Sequence, residues 1–216
     1  MDKLWTFGDS FTAGHGCEEK NEYYKKYYKE GDKLWCEHLA DKLNLESINL
    51  GVNGSSNERI IDSIITNYDK ISTNDIVIIQ KSYPHRLDVP NMGTEGNEWV
   101  TIFANYEFNT WYLKTLSKEQ YQTAIDFCYY FSDNSKYKKR QNLRFGFLNK
   151  SLIKDGIKVF VWDLLEIKNK KLHPSDYQTI RGATNNEVSD GHFSFDGHYQ
   201  FYKWIYEEIK TKNEII

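Results

Sequence analysis

The sequence predicts an α/β fold in which a parallel sheet is covered by helices on both faces. Short runs rich in β-branched and aromatic residues, at 4–7, 76–80 and 158–162, read as buried strands, with a weaker fourth at 46–50. Segments with apolar residues at helical spacing lie between them. Strands that alternate with helices bury both faces of a parallel sheet.

The elements follow in order. Residues 4–7 (LWTF) form the first strand, which stops at Gly8-Asp9-Ser10. Cys36, Leu39, Ala40 and Leu43 then lie on one face of a helix that precedes the weaker strand. Ile60, Ile61, Ile64, Ile65 and Tyr68 repeat the pattern, with Ser56 as N-cap. After the strand at 76–80, the stretch 82–116 holds Pro84, Pro90, Gly93 and Gly96 and reads as a long irregular insertion. A polar-aromatic helix is expected over much of 117–154, broken near 132–135. The chain closes with an amphipathic helix at 197–210 carrying Tyr199, Phe201, Tyr202, Trp204, Ile205 and Ile209. No repeat, low-complexity tract or linker divides the sequence, so residues 1–216 read as one domain.

Composition excludes several classes of function. The 28 basic and 31 acidic residues nearly balance, which gives no reason to expect nucleic acid or an acidic membrane as partner, and the basic cluster at 136–144 reads as one solvated helix face. Cys17, Cys36 and Cys128 are odd in number and have no CxxC spacing, so neither a disulfide framework nor a zinc site is expected. No segment approaches the roughly 20 apolar residues of a membrane span. The first residues lack the basic-then-apolar run of a leader, and a cytoplasmic protein is expected.

In parallel α/β sheets, ligands sit beyond the carboxyl ends of the strands. Four polar clusters fall there: Ser10, "NLGVNGSSN" (49–57), "QKSYPHRLD" (80–88) and "SDGHFSFDGH" (189–198). A serine hydroxyl becomes a nucleophile when an adjacent base takes its proton. His192 and His198 are the candidate bases, and each follows an aspartate by two residues, Asp190 and Asp196. A carboxylate beside an imidazole fixes its tautomer and stabilises the imidazolium. Gly54 offers an unhindered backbone N–H for an oxyanion, and Ser10 N–H is a second candidate. The two histidines and two aspartates also admit a metal reading, although no further ligand sits at a telling spacing.

"FGDSFTAGHG" resembles the first block of the SGNH (GDSL-type) hydrolases, "NLGVNGSS" the second and "DGHFSFDGH" the last. The helix "LWCEHLADKLN" matches the usual segment between the first two blocks, and "GSSNERI" is similar to the variant of members found in phage genomes. The resemblance implies a flavodoxin-like three-layer α/β/α sandwich with about five parallel strands. It also implies ester hydrolysis through an acyl-serine intermediate. Ser10 is then the nucleophile, His192 the base, Asp190 its partner and Gly54 an oxyanion donor. His198 belongs to the terminal helix. No metal or cofactor is implied, and the substrates are small-molecule or carbohydrate esters, acetyl esters among them.

Two positions depart from the family pattern. Pro84 falls where the third block places an oxyanion-donating Asn, and proline has no N–H to offer. Ser82, Arg86 and Asn57 are the candidates to face the substrate in its place. The carboxylate at Asp190 stands two residues before His192, where the family has three. Acyl transfer to an acceptor other than water, and a binding module with weakened catalysis, are the alternative readings.

Overall fold

The computed structural model describes residues 1–17, 28–84, 86–90, 99–103, 135–163 and 192–211, with a few positions between 117 and 126. The main sheet is formed by β1 (Lys3–Phe7), β2 (Glu46–Asn49), β3 (Ile76–Lys81) and β6 (Lys158–Asp163), in the order β2-β1-β3-β6. All three pairings are parallel. The described residues therefore give four strands to this sheet, against the expected five or so.

Strand side chains alternate between the two faces, and the sheet splits the core accordingly. Leu4, Ile76, Ile78, Phe160 and Trp162 point to one side. There they meet Trp35, Cys36, Leu39 and Ala40 of α2 (Trp35–Leu43) and Phe201, Ile205 and Ile209 of α5 (Phe195–Thr211). Trp5, Phe7, Val77, Ile79 and Val159 point to the other. They meet Ile60, Ile61 and Ile64 of α3 (Asn57–Asn67) and Phe145 and Leu152 of α4 (Ser135–Lys154). Helices on both faces make the architecture a three-layer α/β/α sandwich.

The helix boundaries have local causes. Ser56 Oγ accepts the Arg59 N–H at 3.3 Å, as an N-cap does. Asn44, at φ 55°, ends α2 in the left-handed conformation. Helix α4 begins at Ser135, where the sequence places a break, and most of 117–134 lies outside the described residues. At the amino edge of the sheet, buried Asp75 accepts Lys3 N–H and Trp5 Nε1–H, each at 2.8 Å, and so ties β3 to β1.

The stretch expected to be irregular contains a hairpin. Strand β4 (Arg86–Pro90) pairs antiparallel with β5 (Trp99–Phe103), from Arg86 opposite Phe103 to Pro90 opposite Trp99. The runs RLDV and WVTIF, separated in sequence by a stretch rich in Gly and Asn, were the available signal. The prolines and glycines masked it. Among the described residues no helix is long and apolar enough to cross a membrane.

Candidate active site

Strand β1 delivers the chain to a sharp turn at the carboxyl edge of the sheet. Gly8 lets the Thr12 and Gln80 side chains close over the turn, because a Cβ there would stand 2.3 Å from Thr12 Oγ1 and 2.7 Å from Gln80 Cβ and force them to shift. Asp9 caps the four-residue helix α1 (Ser10–Ala13), its carboxylate accepting the Phe11 N–H at 3.1 Å. Gly14, at φ 78°, ends that helix after one turn. Ser10 thus sits in the first position of a short, capped turn and is 5 % exposed.

The loop before α5 brings His192 to this turn. Its Nε2 lies 2.8 Å from Ser10 Oγ, a hydrogen bond between residues 182 apart in sequence. The imidazole is held between two rings of the α1 region, Phe11 with centroids 5.0 Å apart and His15 at 4.6 Å. The next residue, Phe193, is buried against Phe11 and Phe201 and anchors the loop in the core. His198 turns away from this pair. Its Nδ1 accepts the Trp35 N–H at 3.3 Å, and burial, aided by His38 and His192, pushes its pKa down to about 3. It is therefore a neutral, structural imidazole. Asp190 lies outside the described residues.

The loop after β2 is fitted against the same turn. Asn49 donates to the Thr12 carbonyl at 2.8 Å and accepts the Gly51 N–H at 2.9 Å. A Cβ on Gly51 would stand 2.4 Å from the Ala13 nitrogen, so only glycine permits this approach. Val52 N–H donates to the Gly8 carbonyl at 3.0 Å. Gly54 adopts φ 77° with open space around its Cβ position. Among the described residues, neither Gly54 N–H nor Ser10 N–H has a hydrogen-bond acceptor.

Ser82 and Arg86 meet Asp9, the residue before Ser10, and Asn57 holds the Ser82 backbone. Asn57 brackets the Ser82 backbone, accepting its N–H at 2.7 Å and donating to its carbonyl at 3.0 Å; it also donates to Gln141 at 3.1 Å. Ser82 Oγ donates to Asp9 Oδ2 at 2.9 Å. Arg86 Nη1 faces three oxygens: Asp9 Oδ2 and Ser82 Oγ, each at 2.7 Å, and the Ser55 carbonyl at 3.1 Å. All three residues are at most 6 % exposed. Burial explains the arrangement, because a polar group withdrawn from water must find a partner inside the protein.

Sequence reasoning gave no site role to Asp9 or Gln80, which organise this region. Gln80 Oε1 accepts Asp9 N–H at 3.2 Å and Thr12 Oγ1–H at 2.5 Å, while its Nε2 donates to Asp9 Oδ1. The signal was a lone carboxamide ending the otherwise apolar run IVIIQ. Among the described residues no three of His, Cys, Asp or Glu gather closely enough to hold a metal ion.

The fold and site define an α/β protein with a serine–imidazole pair at the carboxyl edge of its sheet. No family model matches the sequence, and no curated protein matches it. Solved structures do. One is a lipase/acylhydrolase from Enterococcus faecalis, 15 % identical, with 98 % of this chain and 97 % of that one covered at a TM-score of 0.43. A member of the lipolytic protein G-D-S-L family from Veillonella parvula is 14 % identical, covering 97 % and 99 %, at 0.39. An acetylxylan esterase from Geobacillus stearothermophilus is 11 % identical, covering 96 % and 94 %, at 0.37.

Proposed function

We propose that this chain is a serine hydrolase of the SGNH (GDSL-type) kind that cleaves an acyl ester, acetyl esters of small molecules or carbohydrates among them. The observation that carries the reading is the 2.8 Å contact between His192 Nε2 and Ser10 Oγ. A base must lie within about 2.6–3.2 Å of the proton it removes.

With the ring proton on Nδ1, His192 Nε2 accepts the Ser10 hydroxyl proton as Oγ attacks the ester carbonyl. The carbonyl π electrons move onto oxygen. Gly54 N–H and Ser10 N–H are assigned to that oxyanion, since both point to no described acceptor and such donors act where charge develops. The tetrahedral intermediate collapses, the C–O bond breaks, and the alkoxide leaves with the proton from His192. Water then enters with His192 as base and releases the acid from Ser10. Asp190 is assigned to orient His192, on the sequence resemblance.

A small fluorophosphonate, followed by peptide mapping, tests the reading. The expected product is phosphonylated Ser10, with hydrolysis of a p-nitrophenyl acetate substrate lost in Ser10→Ala. Unchanged hydrolysis by Ser10→Ala, or a label on another serine, overturns it.

A further inference from the structure

Asp9 adjoins the candidate nucleophile yet its side chain is 0 % exposed, and its ion-pair partner Arg86 is 7 % exposed. A buried ion pair recovers its desolvation cost only with excellent geometry and further hydrogen bonds. The carboxylate here receives four donors. Phe11 N–H and Gln80 Nε2 bond to Oδ1; Ser82 Oγ and Arg86 Nη1 bond to Oδ2. The same Nη1 reaches the Ser55 carbonyl at 3.1 Å. Asp9 belongs to the turn after β1, Ser55 to the loop after β2, and Ser82 and Arg86 to the segment after β3. One buried charge pair thus joins the three loops that leave the carboxyl edge of the sheet in sequence.

We infer that Asp9 and Arg86 form an internal clamp that sets the spacing between Ser10 and the backbone N–H of Gly54, which makes Arg86 a positioning residue rather than a substrate anchor. Its catalytic consequence rests on the hydrolase reading. Ser55 immediately follows Gly54, so a cation holding the Ser55 carbonyl limits how far Gly54 N–H can move from the Ser10 turn. Donors to a developing oxyanion accelerate reaction only if they are held in place beforehand. Arginine suits the task because its planar guanidinium presents donors in fixed directions and keeps its charge when buried.

The test uses the double variant Asp9→Asn/Arg86→Met. It removes both charges together, so no unpaired ion is left inside, and asparagine keeps an acceptor for the Phe11 N–H. Two readouts are taken on folded protein: amide hydrogen exchange over 9–14 and 51–56, and kcat and KM on a neutral acetyl ester. Exchange in both segments is expected to quicken by about tenfold or more. The kcat is expected to fall about 10²-fold while KM stays within about threefold. Arg86→Lys keeps the charge but loses the fork. It is the second variant should the first fail to fold, and it is expected to show the same pattern with a smaller fall in kcat.

Wild-type exchange at 51–56, or wild-type kcat, in a folded variant overturns the inference. Wild-type protein that is neither labelled at Ser10 nor active overturns the hydrolase reading instead, and hydrogen exchange alone then decides whether the clamp exists.

Discussion

His192 Nε2 stands 2.8 Å from Ser10 Oγ, whereas His198, six residues later, gives its Nδ1 to the Trp35 N–H. Two histidines in similar sequence surroundings therefore carry different expectations. His192→Ala is expected to lower kcat on an acetyl ester by about 10⁴–10⁶, the loss typical of removing the base from a serine–histidine pair. Steady-state kinetics on folded protein checks it. A loss below tenfold would remove His192 from the role of base.

The stability of the protein is expected to fall with acid because of His198. Its folded pKa lies near 3, below the ordinary imidazole value of 6.5, chiefly through burial. Between these values the unfolded chain binds a proton that the folded chain excludes, so stability rises with pH across the window. The contribution is fully present above about pH 6.5 and declines by about 1.4 kcal/mol per pH unit as pH falls toward 3. His198→Asn keeps an acceptor for Trp35 N–H without a titrating ring. Urea unfolding at pH 7.5, 6 and 5 should show the wild type losing stability relative to this variant. Parallel pH curves would contradict the assignment.

Two glycines should respond to alanine with opposite signs. At Gly51 a Cβ would meet the Ala13 nitrogen at 2.4 Å and the Thr12 carbonyl carbon at 2.8 Å, both backbone atoms. Gly51→Ala is expected to destabilise by about 1–3 kcal/mol, as overpacking does, and to reduce activity by shifting the Ser10 turn. At Gly146, inside α4, a Cβ meets nothing within 4 Å. Gly146→Ala is expected to stabilise by about 0.5–1 kcal/mol. Chemical denaturation of both variants measures the contrast.

Cys36 is fully buried in α2, and burial pushes its thiol up to about 12. The thiolate is the reactive form. Cys36 is therefore expected to react with a disulfide reagent only as fast as the protein unfolds. Mapping labelled peptides over time in native buffer checks this, and rapid native-state labelling of Cys36 would contradict it.

The layers of the fold were legible because burial imposes a period on the sequence. Ile76 to Ile79 alternate between two helix layers, and Ile60, Ile61 and Ile64 fall on one side of α3, so apolar spacing alone marks strand, helix and core. Residues 86–103 were less legible, since the proline and glycine signals that end strands also occur beside a hairpin.

The sequence by itself determined the α/β order, the placing of Ser10 and the 49–57 loop beyond their strands, and the candidacy of His192. Each follows from local pattern: strand ends, caps and short-range spacing. The last-block resemblance already favoured His192 over His198; tertiary structure added the contact with Ser10, which depends on how Phe193 and α5 pack rather than on either histidine's neighbours. It likewise turned Ser82, Arg86 and Asn57 toward Asp9 and the adjoining backbone. The reason is desolvation. Once the folded sheet edge buried Asp9, its charge required donors, and the nearest groups supplied them, a demand that arises only when distant segments close over one another.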